Sequence, residues 1–384
     1  MHDHAPLVPA DETLTHQIID TFATVGQSDP SWTEKVWAIA HARDGSLQVC
    51  FGLGKYTNRG VFDATGGACR GTEQWTVRGS RRLSSDPAGM GVGPLRYEIV
   101  EPLRSVRCRL APNDHAAVAF DITWMGEYPP SLEEPYPDRS PDGYRVTHHT
   151  QRYHQLGVAE GWVEVEGERT EVTPDTWLSI RDHSWGLRPG IGLPIPGLPR
   201  GERATQTLLS WFPMLMTRDD GTPYSLFVFY QHGAGVGFST TRTQAEEHLT
   251  TGERHRFASV TQDLRFHDHN RRLIGGTITL IDTDGSTRPL TIRPVGDTGF
   301  HLGPGGYFGW KGRMLGQWVG DLVVDGEHLK DLDDPAVARE VHQLRDLLVH
   351  VEDPVGGGRG LGNIETMAVG AFPELGLTAE ASFL

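Results

Sequence analysis

Just before its midpoint the chain runs Arg181-Asp182-His183-Ser184-Trp185-Gly186-Leu187-Arg188, in which only Leu187 is aliphatic. Asp182 and His183 can exchange protons, Arg181 and Arg188 can hold an anion or orient a carboxylate, and Trp185 can wall an apolar cavity. Burial beside an indole raises an aspartate pKa, whereas neighbouring arginines lower it, and the sequence leaves open which wins. The plain alternative is a satisfied Arg181–Asp182 ion pair that fastens two domains, with Trp185 as packing. Glu365 is a second candidate proton carrier opposite Asp182. It follows the glycine loop Gly356–Gly362 in a strand of mixed polarity, where an inward carboxylate is costly unless paired. If it faces outward it is merely solvated. Asp63 and Asp121 are lesser candidates of the same kind. Tyr56, Asn58 and Arg59 are placed at the mouth of the first folded unit, and Trp124 among the residues lining a substrate.

Other chemistries fit less well. The glycine loop lacks dinucleotide spacing, since Asn363 stands where the third glycine belongs, and it leads into a strand. Ser184 has no glycine two residues before it, so a nucleophile elbow is not supported. A hydrolase or isomerase using His183 with Ser184 would need a third member from elsewhere. His148, His149 and His154 cluster in sequence, and His267 and His269 alternate so that they can share a strand face. Neither group has a third ligand at metal spacing, so no metal is expected, although spacing does not decide whether either group binds one.

These residues need a scaffold. Glycine makes up 47 of 384 residues, spread as turn punctuation rather than as a tract, which favours an all-β protein. Leu47, Val49, Phe51 and Leu53 alternate as in a half-buried strand, and Val118, Phe120, Ile122 and Trp124 do the same. Ser225–Tyr230 is continuously apolar, the mark of a strand buried on both faces. Asp284-Gly285 predicts a hairpin, and Asp334-Pro335 a capped helix carrying Val337, Val341 and Leu344. A short helix is expected around Thr13–Thr24, and a long loop or lid over 126–146. The domain expectation is a lead-in at 1–30, a β domain at 31–187, a Pro/Gly-rich linker at 188–202 and a second β domain at 203–384.

The net charge of −15 argues against nucleic acid and anionic membranes. No apolar run approaches a membrane span, Met1–Pro6 lacks the features of a signal peptide, and three cysteines lack metal spacing. A reduced, cytoplasmic protein is the expectation, with a homodimer left open.

The segment Arg181–Arg188 resembles the Asp-His-Ser/Glu-Trp-Gly signature of the AttH-like and carotenoid 1,2-hydratase-like proteins. Gly54–Gly60, the strand from Ala119 with its exit at Pro130, and Gly360–Glu365 fit the same pattern, and the likeness spans roughly residues 30–375. The resemblance implies two lipocalin-like antiparallel β-barrel or sandwich domains in tandem, with few short helices and a large apolar pocket. It implies chemistry on hydrophobic isoprenoid- or polyketide-like molecules without a redox cofactor, and it carries Asp182, His183, Trp185 and Arg188 as site residues. The expected activity is that of a cofactor-independent lyase, a hydratase, dehydratase or cyclase. Asp182 would donate a proton, His183 would orient it or manage water, and Trp185 would stabilise a cation. The competing expectation is a non-catalytic carrier of a hydrophobic ligand, in which the motif only locks the barrels together.

Overall fold

The computed structural model describes residues 7–17, 25–84, 89–139, 145–194, 197, 204–380 and 382. Two antiparallel sheets account for almost all regular structure, giving two all-β lipocalin-like domains. The first runs Leu322–Leu329, Glu73–Arg82, Val61–Arg70, Gln48–Tyr56, Trp32–Ala42, Trp177–Leu187, Val146–Val165, Val118–Gly126, Ser105–Leu110, Leu95–Glu101 and Gly91–Val92. It curls until Arg81 Nε donates to Gly91 O at 2.7 Å, which joins its last strand back to Glu73–Arg82. The second sheet carries Gln206–Arg218, Pro223–Gly235 and Phe238–Leu249 on one side of Gly358–Val369, and Arg345–Asp353, Thr287–His301, Leu273–Ile281 and Ser259–Phe266 on the other. One strand crosses the expected boundary: Leu322–Leu329, from the second half, pairs along Glu73–Arg82 of the first sheet.

Alternation sorts the side chains of these strands onto two faces. In Trp32–Ala42, Val36, Ala38, Ala40 and Ala42 join Val49, Phe51, Phe120, Ile122 and Trp124 in the barrel core. Trp37 and Ile39 point the other way. They pack with Leu156, Leu178 and Ile180 against Trp211, Phe227, Phe229, Phe300, Leu348 and Met367 of the second sheet. The seam between the sheets is therefore a second apolar layer. For this reason Gln48–Tyr56 is buried along its whole length rather than on one face as its alternation predicts. Its outward side is mostly small: a Cβ on Gly52 would lie 2.6 Å from the Trp37 ring, and one on Gly54 would lie 2.5 Å from the Tyr56 hydroxyl oxygen.

Local signals translate directly. The helix Pro335–Glu340 starts where Asp334 Oδ1 accepts from Ala336 N at 2.8 Å, as its capping residue predicts. The hairpin at Asp284-Gly285 joins Leu273–Ile281 to Thr287–His301. Pro9–Glu12 is a 3-10 turn, Thr13–Gln17 is not helical, and the rest of the helix expected there lies outside the described residues. The expected lid at 126–146 contains two-residue strands at Ser131–Leu132 and Asp138–Arg139. Its Glu133 crosses the seam, accepting from Trp211 Nε1 at 2.8 Å and from Arg152 Nε at 2.7 Å. No helix among the described residues is long and apolar enough to cross a membrane.

Candidate active site at the seam

The strand Trp177–Leu187 carries most of the central motif, and its alternation splits that motif in two. Asp182 is opposite Trp37 and His154, whereas His183 is opposite Val36 and Tyr153. Asp182 therefore faces the seam, while Arg181, His183 and Trp185 face the barrel interior. Adjacent strand residues cannot form one acid–base pair, so the joint role expected for Asp182 and His183 is corrected. The Arg181–Asp182 ion pair is absent for the same reason. Arg181 instead grips Glu12 with both ends of its guanidinium, at 2.6 and 2.8 Å.

Glu365, from the second sheet, reaches the same seam, paired in register with Asp346 and Trp211. Asp182 and Glu365 are both half-buried between the sheets, and among the described residues neither carboxylate makes a hydrogen bond. Burial pushes both above their ordinary values. Glu365 rises to about 8, with the Asp346 charge adding to burial and Arg152 opposing it. For Asp182 the guanidinium groups of Arg152 and Arg188 oppose the rise. Asp346 is raised to about 7 by burial, against hydrogen bonds from Asn363 Nδ2 at 2.7 Å and Trp37 Nε1 at 2.8 Å. Those two donors favour the ionised form of Asp346, so the proton shared by the pair rests on Glu365, which has none.

Lys35 completes this group. It is buried, its Nζ has no hydrogen-bond partner, and it lies 3.8 Å from the centre of the Tyr307 ring. Burial, followed by the Arg188 charge, holds its pKa well below that of an ordinary lysine. Lys35, Trp37 and Tyr307 also wall a cavity of 50 Å³ lined by Tyr56, Asp63, Met314 and Leu315. That is room for a few waters. Residues 303–318 lie over it, with Gly316 N donating to Asp63 Oδ2 at 2.7 Å. Burial raises Asp63 to about 6 against that bond.

The remaining sequence candidates are placed as follows. Tyr56 is in the cavity wall with an unbonded hydroxyl. Arg188 reaches Ser184 Oγ at 3.2 Å beside the seam. Asn58 donates to Gln27 O and Asp29 O, at 2.6 and 2.8 Å, and Arg59 donates to Pro30 O and Ile191 O, both at 2.7 Å. These two thus tie the lead-in and the linker to the barrel. Trp124 is sealed in the barrel core, donating to Ile39 O at 2.9 Å. Asp121 is paired with Arg107 at 2.6 Å. His154 stacks on Phe227 at 4.1 Å, His148 is 3.6 Å from Asp138, and the rings of His267 and His269 are 5.6 Å apart. Among the described residues none of these histidines belongs to a group of three ligands; the group that does is His16, Glu34 and His183. Lys35, Asp346, Tyr307, Glu12, His16 and Glu34 were not found from the sequence. Only the lysine in the strand-forming run Trp32–Ala42 offered a local signal.

A family model described as a family of unknown function, DUF8625, matches residues 7–378. The chain belongs to this family. No curated protein matches this DUF8625 member in sequence. Among solved structures it is similar to a protein of Nitrosomonas europaea assigned as an AttH, with 14% identity and a TM-score of 0.52, covering 95% of this chain and 99% of that one. That likeness shows the tandem fold implied by the resemblance of the motif. Weaker likenesses are to kievitone hydratase from Nectria haematococca (9% identity, TM-score 0.44, 88% and 89% covered) and to CghA with Sch210972 (11%, 0.46, 88% and 88%).

Proposed function

We propose that the seam is the active site of a cofactor-independent lyase, a hydratase or dehydratase acting on a hydrophobic alkene of isoprenoid or polyketide type. The observation that carries this reading is the pair of carboxylates, Asp182 and Glu365, that face one another's sheets without a hydrogen bond. An enclosed acid without a hydrogen bond is costly to keep, and such groups concentrate where proton transfer is needed. Glu365, neutral near pH 7, protonates the alkene carbon. Asp182, whose upward shift Arg152 and Arg188 oppose, acts as the base and removes a proton from water as its oxygen bonds to the cationic carbon. The product is the alcohol, and the proton gained by Asp182 returns to Glu365 through the seam. Dehydration is the same path reversed. The rings of Trp37 and Tyr307 stand where Trp185 was expected to stand, offering π faces to a cation. The segment 303–318 must move to admit a substrate larger than a few waters.

The test is to incubate the protein with a panel of terpenoid and polyketide alkenes and alcohols, and to follow gain or loss of one water by mass spectrometry. Glu365→Gln and Asp182→Asn should each lower turnover by about 10²–10⁴-fold with the fold intact. If both variants turn over a converted substrate at the wild-type rate, the assignment is wrong. Unchanged ligand affinity with no conversion in any protein identifies a carrier.

A further inference from the structure

On the barrel face of Trp177–Leu187, away from the seam, His183 meets Glu34 of the neighbouring strand and His16 of the lead-in, and the three point their ligating atoms at one place. His183 and Glu34 are buried, whereas His16, on the lead-in, keeps 17% of its side chain exposed. The three ligating atoms lie within 4.8 Å of one another, and His183 Nε2 is 3.6 Å from Glu34 Oε1. His183 Nε2 and Glu34 Oε2 are both buried without a hydrogen-bond partner.

The decisive feature is where the imidazole protons must go. Glu12, gripped by Arg181, is an ionised acceptor, so the Tyr153 hydroxyl donates to its Oε1 at 2.9 Å. The Tyr153 oxygen can then only accept from His183 Nδ1, 3.4 Å away. In the neutral ring this leaves a lone pair on His183 Nε2, aimed at Glu34. His16 is held from both sides: its Nε2 faces Asp11 Oδ1 at 3.4 Å, its Nδ1 is hydrogen-bonded to the same Glu34 oxygen at 2.5 Å, and its backbone N–H donates to that oxygen at 3.4 Å. A metal would therefore take the place of the proton between Nδ1 and Glu34. Two imidazoles and a carboxylate thus converge: His183 Nε2 and Glu34 Oε2 have no partner, His16 Nδ1 is hydrogen-bonded to Glu34 Oε1, and each imidazole is held from behind by a second group. That is the arrangement by which proteins hold a metal cation. Trp185 closes one side, stacked on His16 with ring centres 3.9 Å apart.

The geometry points to a divalent transition-metal site made by His16, Glu34 and His183, with Zn²⁺ as the fitting probe. Two imidazoles and one carboxylate are a common zinc donor set, and a tetrahedral shell with bonds of 2.0–2.1 Å spaces its donors by about 3.3 Å. The exposed edge of His16 provides the entry path. Bound metal would pin the lead-in to the barrel wall, on the face turned away from the seam. The nearby cations are occupied elsewhere: Lys55 donates to Leu14 O at 2.6 Å, and Arg181 is held by Glu12.

The test uses full-length protein stripped with a chelator and titrated with Zn²⁺ by calorimetry, with thermal melts at each step. One equivalent should bind and raise Tm by several degrees, through preferential binding to the folded state. Co²⁺ should give visible d–d bands. His16→Ala, at the rim and least able to disturb the fold, should abolish both. Asp11→Asn and Tyr153→Phe should weaken Zn²⁺ binding about 10–100-fold. The proposal is overturned if wild type binds no stoichiometric Zn²⁺, or if His16→Ala and Glu34→Gln bind it as well as wild type. A melt indifferent to Zn²⁺ and chelator would overturn it too, leaving the His16–Glu34 hydrogen bond as what closes the gap.

Discussion

The two faces of the strand Trp177–Leu187 solve the problem of buried charge in opposite ways. On the barrel side, Arg181 is met by Glu12 and by Gln155 Oε1, the latter at 2.7 and 3.0 Å, while Glu12 also accepts from Leu103 N at 2.7 Å. On the seam side, Asp182, Glu365 and Lys35 are enclosed between the sheets, yet among the described residues none makes a hydrogen bond. The matched network around Arg181 holds its carboxylate ionised: burial pushes Glu12 up, but the Arg181 bond and charge bring it below its ordinary value. The unsaturated face drives its carboxylates the other way. A stable fold explains the first arrangement, but it does not explain the second, whose groups would be replaced by apolar residues if packing were all they served.

The sharpest break of this comparison is Arg181→Ala. It strands Glu12 as a buried, uncompensated charge and should cost about 3–5 kcal/mol, read from the urea midpoint. A loss below about 1 kcal/mol would mean that the barrel-side network is not a fixed fastening. Glu365→Gln should do the reverse. Its folded-state pKa of about 8 stands above the ordinary 4.5, so between those values the folded protein binds more protons than the unfolded chain. Its contribution is therefore intact below about pH 4.5 and lost as pH rises through about 8. The variant should match wild type in acid and exceed it by on the order of a few kcal/mol at alkaline pH, since each tenfold change in proton affinity between the folded and unfolded chain is worth about 1.4 kcal/mol. Equal midpoints at every pH would show that Glu365 is solvated.

Much of the scaffold was legible because its signals are local. The alternation at Val118, Phe120, Ile122 and Trp124 needs only neighbouring residues to declare a strand, and Asp334 caps a helix that begins at the next residue. Glu365 was legible as a candidate, a carboxylate in a strand of mixed polarity that would be costly if it faced inward. The pairing of Asp182 with His183 ran against the two-residue period that separates His148 from His149. What stayed hidden depends on sheet-to-sheet packing. Trp37 meets Asp346 and His41 meets Asn363 across more than 300 residues. Glu34-Lys35 reads in sequence as an ordinary solvated pair, and nothing local says that one faces a barrel interior and the other a domain seam. The strand Leu322–Leu329 was likewise invisible as a member of the first sheet, because its partner lies in the other half.

The smallest expected effect separates the two faces most cleanly by its sign. Lys35→Met replaces an ammonium that has no hydrogen bond with a side chain of similar length, beside Trp37 and Tyr307. Because burial and Arg188 hold the Lys35 pKa well below 10.5, the folded protein binds fewer protons than the unfolded chain up to that pH. The lysine's cost is thus fully present in acid and relieved as pH rises to about 10.5. The methionine variant should gain about 1–3 kcal/mol near neutrality, an advantage that shrinks towards alkaline pH, opposite in slope to that of Glu365→Gln. The same substitution on the barrel side, Arg181→Met, should be destabilising at neutral pH, because Glu12 loses its partner. If Lys35→Met is destabilising too, then the lysine is a structural counter-ion for Asp182 and Glu365, and the seam is as well matched as the Arg181–Glu12 network.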